Sequence, residues 1–234
     1  SKLVEDDQIG MDKPVGNLSG LALSLFLFQR IDQFHGREEA HSLAVMLDGP
    51  DAQRCGDMGF AGSMTLRPST MIAAIYDWVA SLSRHGFDRI YFFNGHGGNI
   101  ATIQAAFSEI YADRSLGREG DNRRAVKCRL GSWLDFKPVP DYCKQTYGSA
   151  HGSHATPSEV AVTYAAFPHA VKHAVMEPAI APSGRFTDAE DYRAKFPDGR
   201  IGSDPSLARA EDGEKLIQLS AKSLAEDFKN FTTS

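Results

Sequence analysis

The chain has 234 residues, 42% of them hydrophobic, and a formal net charge of −5, which is ordinary for a globular α/β domain. The sequence has no cluster of Lys and Arg residues of the kind that would predict a nucleic-acid partner. The apolar segment 21–28 is too short to cross a bilayer. Three widely spaced cysteines without a CxxC motif indicate reduced thiols, so we expect a cytoplasmic protein without a membrane partner.

The first predicted elements alternate between strand and helix. Segment 21–28 (LALSLFLF) is typical of a buried strand. From Pro68 onward, apolar residues recur at helical spacing, and we expect the helix to end at Gly86. The recurring residues are Met71, Ile75, Val79 and Leu82. Residues 90–93 (IYFF) then form an unbroken apolar run, which predicts a strand buried on both faces.

A glycine-rich loop, NGHGGN at 94–99, follows that strand and precedes a helix predicted to reach about Ala112. His96 is therefore expected at the carboxyl end of a strand, where ligands bind in open α/β sheets. Asn99 is in position to cap the helix. The alternative interpretation is a turn histidine bonded to nearby backbone, and three neighbouring glycines make that alternative less favourable.

The second half continues the alternation. Residues 125–133 predict another strand, with Trp133 at its end as a core aromatic or a substrate contact. We expect a loop over 138–152, a helix from Pro157 to just before Pro168, a long polar loop over 184–205 and a final amphipathic helix over 211–228. Glu159 falls in a first helical turn, which favours acidic residues even without a function. The whole pattern predicts a three-layer α/β/α fold with a mainly parallel sheet.

Four segments resemble the creatininase (creatinine amidohydrolase) family and occur in the family's order. They are Phe60–Leu66 (FAGSMTL), Asn94–Asn99 (NGHGGN), Gly152–Ala161 (GSHATPSEVA) and Phe196–Ala208 (FPDGRIGSDPSLA). The resemblance implies a creatininase-like fold and a homo-oligomer, often a hexamer. We expect a single domain over residues 1–234, in which residues 1–58 diverge from the family pattern.

The resemblance also implies an activity, the hydrolysis of a C–N bond in a small cyclic amide or formamide. One or two divalent ions, Zn, Mn or Fe, would activate water and polarise the carbonyl. His96 matches a family metal ligand, and His154 matches the general acid/base that moves a proton to the leaving nitrogen. Creatininase has a glutamate two residues after the ligand histidine, where this chain has Gly98. We expect Glu159 to supply that carboxylate, with both a metal-binding and a catalytic role. Candidates for substrate binding are Gly97, Gly98, Asn99 and Trp133.

The remaining ligands implied by the family fall in a segment that departs from its Glu-x-His-Gly pattern. The candidates are Asp32 with His35, Glu39 with His41, and either Asp48 or Asp51. We take Asp32, His35 and Asp48 as the predicted set, which treats Phe34 as an inserted residue. The alternative of equal weight is that these side chains lie on a solvated surface.

Two other classes of function compete with a metal-dependent hydrolase. A His-Gly-Gly loop after a strand also occurs in α/β-hydrolases, but the chain contains no G-x-S-x-G nucleophile motif. It also contains no GxGxxG dinucleotide motif. The stronger alternative is a catalytically silent family member, a subunit or binding protein with an incomplete metal site.

Overall fold

A computed structural model describes residues 42–47, 56–60, 65–117, 125–171 and 173–233. The strands within these ranges are β1 (Ser42–Leu47), β2 (Arg89–Asn94) and β3 (Lys127–Ser132). The α-helices are α1 (Pro68–Arg84), α2 (Ile100–Ser115), α3 (Pro138–Tyr147), α4 (Pro157–Ala166), α5 (Ala189–Lys195) and α6 (Ala210–Thr233). Short 3₁₀ turns lie at Gly56–Gly59, Gly97–Asn99, Gly148–His151, Pro168–Ala170 and Pro205–Leu207. Within this part of the chain, no helix is both long and apolar enough to cross a membrane.

The strands form a parallel sheet in the order β1-β2-β3. Their last residues are in register, since Leu47 pairs with Asn94 and Asn94 pairs with Ser132. All three strands therefore end at one edge of the sheet, and the described loops that follow β2 and β3 leave that edge next to each other. This arrangement confirms the predicted α/β class.

The side chains of β2 alternate between two hydrophobic clusters. Ile90 and Phe92 pack with residues of α1 and α2, whereas Tyr91 and Phe93 pack with residues of α3, α4 and α6. An unbroken apolar run is stable as a strand because each face has its own covering. The prediction for this strand and for the helices on either side of it is confirmed.

Helix α6 lies against α4 at an unusually close distance. A Cβ added at Gly213 would lie 2.0 Å from the carbonyl oxygen of Ala161. Both residues are buried, so the backbones of the two helices pack directly against each other. The absence of a side chain at Gly213 is what permits this contact.

Two predictions about loops are wrong. Residues 138–147 form helix α3, because Val139, Cys143 and Tyr147 recur every four residues and bury one face. Its first-turn prolines are compatible with a helix start. The expected loop over 184–205 contains α5, whose first amides are capped by the Asp188 side chain.

Other boundaries differ less. Strand β3 begins two residues later than predicted, and the last helix extends over Ala210–Thr233 rather than 211–228. The strand predicted at 21–28 lies outside the described residues, and β1 was not predicted.

Candidate active site

The loop that carries His96 is fixed by the buried side chain of Asn94, the last residue of β2. The Asn94 amide nitrogen donates to the His96 carbonyl at 2.6 Å, and its oxygen accepts from the His96 backbone N–H at 3.3 Å. The same nitrogen lies 3.4 Å from the Ser132 hydroxyl at the end of β3. One amide thus holds the backbone of His96 on both sides and ties the loop to the neighbouring strand. The half-buried imidazole follows the carboxyl edge of the sheet, as predicted.

Trp133 supports this loop from the core. Its indole N–H donates to the Gly95 carbonyl at 3.0 Å, and its backbone N–H donates to the Asn94 carbonyl at 3.3 Å. The side chain is only 2% exposed. In the structure Trp133 therefore orients the histidine loop, and its contact with substrate remains a prediction.

The three residues after His96 differ in their surroundings. Gly97 is exposed, and a Cβ added there would meet no atom within 4 Å. Gly98 is half-buried and Asn99 is fully buried, with its amide nitrogen 3.5 Å from the Asn94 oxygen. The expectation that Asn99 caps α2 is wrong, since its side chain makes no capping bond. A 3₁₀ turn at Gly97–Asn99 directly precedes α2. The residues before the first amides of α2 therefore already have a helical backbone.

His154 lies in an isolated antiparallel bridge with Ile201. Its Nδ1 is 2.7 Å from the Gly199 carbonyl and 2.7 Å from the Tyr192 hydroxyl. A carbonyl oxygen only accepts hydrogen bonds, so Nδ1 carries a proton and Nε2 is the nitrogen that gains or loses one. This is the arrangement a general acid/base requires.

Two of the segments that resemble the family cross at this histidine. The Ser153 N–H donates to the Ile201 carbonyl at 2.9 Å, and the Ile201 N–H donates to the His154 carbonyl at 3.3 Å. The Ser203 hydroxyl also donates to the His154 carbonyl, at 2.6 Å. Gly152 permits the crossing because its φ is +66° and an added Cβ would lie 2.5 Å from the opposing backbone.

Glu159 forms a capping box with Thr156 at the start of α4. The Thr156 backbone N–H and hydroxyl donate to the Glu159 Oε2 at 3.0 and 2.8 Å. In turn, the Glu159 backbone N–H donates to Thr156 Oγ1 at 3.3 Å. These bonds satisfy amides that a helix start otherwise leaves without partners. They also fix the orientation of the half-buried carboxylate.

A hydrogen-bonded chain that the sequence analysis missed leads to this carboxylate. His151 Nε2 lies 2.8 Å from the Ser158 hydroxyl, which lies 2.9 Å from the Thr156 hydroxyl. Because the Thr156 proton goes to Glu159, Ser158 donates to Thr156 and His151 donates to Ser158. Burial lowers the pKa of His151 below its ordinary value, and Glu159 opposes that shift only in part. Ser158 is fully buried, so its pairing with a histidine gives no exposed nucleophile.

Several predicted ligands have no structural description. Asp32, His35 and Asp48, together with the alternatives Glu39, His41 and Asp51, lie outside the described residues. Among the residues that are described, no group of three or more His, Cys, Asp or Glu side chains forms a metal site. His96, His154 and Glu159 therefore do not make up such a group by themselves.

Solved structures with a similar fold include creatininases. A creatininase mutant complexed with creatine is 20% identical, with a TM-score of 0.64 over 93% of this chain and 84% of that chain. A structure described as creatininase Mn is 20% identical, with a TM-score of 0.60 over 93% and 83%. A putative creatinine amidohydrolase from Bacteroides fragilis is 17% identical, with a TM-score of 0.58 over 94% and 83%.

Among curated proteins none matches the chain. The family model described as creatinine amidohydrolase matches residues 50–228, which is most of the sequence and includes the loop of His96 and the crossing at His154. The chain belongs to the creatininase family.

Proposed function

We propose that this protein is a metal-dependent hydrolase that cleaves the C–N bond of a small cyclic amide or formamide. The observation that carries the proposal is His96, half-buried at the carboxyl edge of a parallel sheet, with its backbone held by Asn94. Family membership supports the same reaction class, and similar folds include a creatininase described with Mn and another described as Zn-Zn type.

The described residues supply part of a metal site. Imidazole and carboxylate are suitable ligands for Zn, Mn or Fe(II), and His96 and Glu159 are the donors proposed here. No described group of three ligands exists, so the site requires Asp32, His35 and Asp48 to complete it. A bound divalent ion would lower the pKa of water and polarise the amide carbonyl.

The residues around the proposed metal have separate tasks. Asn94 and Trp133 hold the loop of His96 from two sides, which fixes the ligand without relying on the metal. His154 holds a proton at Nδ1 through the Gly199 carbonyl, so Nε2 is the nitrogen that would transfer a proton to the leaving nitrogen. Among the substrate contacts, Gly97 offers the most open surface, since nothing lies within 4 Å of an added Cβ.

The proposal includes features beyond the site itself. They are a three-layer α/β/α arrangement, a single domain over residues 1–234, a homo-oligomer of the hexameric family type and a cytoplasmic location. The covering of β2 by helices on both faces supports the layered arrangement.

One observation favours a second function, that of a catalytically silent family member. The Glu159 Oε2 accepts two hydrogen bonds from Thr156 in the capping box, which is a sufficient structural reason for a glutamate at this position. A subunit or binding protein with the family fold would keep this box without any metal.

Metal content distinguishes the two functions. Protein purified without chelator is analysed by ICP-MS as wild type, His96→Ala and Glu159→Gln. Glutamine also serves in a capping box, so Glu159→Gln removes the charge and keeps the cap. His85→Ala is the control, because His85 is exposed and precedes β2. We expect about one to two metal equivalents per chain in wild type and control, and a loss in the two site variants.

Activity is measured in parallel as ammonia, amine or carboxylate release from a panel of cyclic amides and formamides. The hydrolase is supported if the metal-loaded wild type hydrolyses a member of the panel and His96→Ala does not. Near-zero metal in the wild type, with none recovered after adding Mn or Zn, would contradict the hydrolase and support the silent member. Unchanged metal and activity in both site variants would contradict the assignment of this site.

A further inference from the structure

A cavity of about 610 Å³ lies between the C-terminal halves of α1 and α2, next to the start of β3. Val79 in its lining is buried in a hydrophobic cluster, and Ile110 and Val126 are half-buried and pack against that cluster. The apolar part of the lining therefore continues the core. A cavity of this size with apolar walls and a few polar groups is typical of a small-molecule site.

This cavity is remote from the candidate active site. Arg84 in its lining ends α1 shortly before β2 begins, and Val126 directly precedes β3. The lining thus lies at the amino edge of the sheet, whereas His96 follows the carboxyl edge. The two edges are separated by the length of β2, about 20 Å for six residues. A small ligand in the cavity would therefore not contact His96.

The charged side chains in the described lining are two arginines and one aspartate. Asp113 accepts a hydrogen bond from the Tyr76 hydroxyl. Arg84 and Arg114 are exposed, and neither forms a hydrogen bond or an ion pair with another residue in the described part of the chain. Each lies in the last turn of its helix, where a basic side chain is favourable even without a ligand. Their convergence on one cavity is the further observation, because it leaves a local positive excess in a chain of net charge −5.

We propose that this cavity binds a small molecule that combines one carboxylate with an apolar body, such as a medium-chain fatty acid. Arg84 and Arg114 hold the carboxylate, because a planar guanidinium donates parallel hydrogen bonds to a carboxylate. The apolar body contacts Val79, Ile110 and Val126 and removes apolar surface from water. A purely hydrophilic anion would leave that apolar surface exposed, and a cation would meet the positive excess.

The test is a titration of the labelled protein with octanoate, followed in ¹H–¹⁵N correlation spectra. We expect saturable shifts of the backbone amides of Ala80, Arg84 and Arg114, which line the cavity, and no shift in the loop of His96. Octanol has the same chain length without the charge. It should therefore bind about tenfold more weakly, because charge-assisted hydrogen bonds at an exposed rim are lost.

Variants separate the two parts of the ligand. Arg84→Gln and Arg114→Gln should each weaken octanoate binding about threefold, and together about tenfold, with octanol binding changed less than about twofold. Arg67→Gln is the matched control, because Arg67 is also exposed and lies at the opposite end of α1. It should bind octanoate as wild type does. Ala80→Phe fills the cavity from an exposed helical position and keeps every charge, so it should abolish the binding of both ligands.

The outcomes are independent of the proposed function, since binding requires neither metal nor hydrolysis. His96→Ala should bind octanoate as wild type does. Shifts centred on the loop of His96, equal affinity for octanoate and octanol, or unchanged affinity in the double arginine variant would overturn the proposal. The absence of saturable shifts would also overturn it, including the case in which a second copy of the chain covers the cavity. A wild type that binds octanoate here and hydrolyses no amide would instead contradict the proposed function and leave this site supported.

Discussion

Replacing Gly152 with alanine should cost far more stability than its position in a loop suggests. The added Cβ would lie 2.5 Å from each of three opposing backbone atoms, the carbon of Gly202, the oxygen of Ile201 and the nitrogen of Ser203. None of these atoms can move away by rotation of a side chain. The φ of +66° adds a second cost, since residues with a Cβ are disfavoured there.

The magnitude follows from the two effects. With φ +66° and ψ −156°, the Gly152 backbone lies in a region that essentially only glycine occupies. That conformation costs other residues about 1–3 kcal/mol, and overpacking against fixed atoms costs about 1–3 kcal/mol. The free energy of unfolding should therefore fall by about 2–6 kcal/mol. Gly148 separates the two effects, because its φ is +54° and an added Cβ would meet nothing within 4 Å. Gly148→Ala should cost about 1–3 kcal/mol, because its ψ of −132° also lies outside the left-handed helical region. Gly97→Ala, which has neither feature, should stay within about 0.5 kcal/mol of wild type.

Urea unfolding followed by circular dichroism measures this series. With a slope of about 3 kcal/mol per molar urea, the midpoint should fall by about 0.7–2.0 M for Gly152→Ala and about 0.3–1.0 M for Gly148→Ala. The amides of Ser153 and Ile201 form the hydrogen bonds between the two crossing segments. Their hydrogen exchange should accelerate in Gly152→Ala and not in Gly148→Ala. Equal midpoints for Gly148→Ala and Gly152→Ala, with unchanged exchange, would refute the close contact between the two segments.

Two further variants test other contacts. Gly213→Ala gains about 1 kcal/mol of helix propensity, but its Cβ would lie 2.0 Å from the Ala161 oxygen, and overpacking costs about 1–3 kcal/mol. We expect a net loss of up to about 2 kcal/mol and a thermal midpoint lower by up to about 8 °C. A raised midpoint would contradict the direct packing of α6 on α4. His151→Gln should flatten the pH dependence of stability. Burial lowers the pKa of His151, so below about pH 6.5 the unfolded chain binds the proton more readily and wild type loses stability as pH falls. When the pH is lowered from 7.5 to 5.5, the urea midpoint should therefore fall more for wild type than for His151→Gln. Equal decreases in the two proteins would argue against a buried, neutral His151.

Sequence patterns located the elements that bury a continuous apolar surface. Strand β2 and helices α1 and α2 were predicted because their apolar residues recur with the period of the structure they form. Helix α5 escaped prediction because it has seven residues and only Tyr192 is buried. A helix stabilised by one buried ring and an Asp188 cap leaves almost no periodic signal.

The candidate site likewise contains features that a local sequence pattern predicts and features that it does not. His96 was found because glycines and asparagines directly after a buried strand form a local pattern. The contact of Tyr192 with His154 spans 38 residues, so no local pattern contains it. The capping box was readable as Thr156-x-x-Glu159 and was missed, because Pro157 was taken as the start signal of the helix.

The two explanations for Glu159 are compatible in physical terms. Both bonds from Thr156 end on the same oxygen, Oε2, so the capping box uses one side of the carboxylate. A carboxylate fixed by its own helix loses little further side-chain freedom when it binds a cation, and this lowers the cost of forming a metal site. The box therefore serves a silent member and an enzyme equally well. What distinguishes the two is whether Glu159→Gln, which retains the box and removes the charge, also removes the metal.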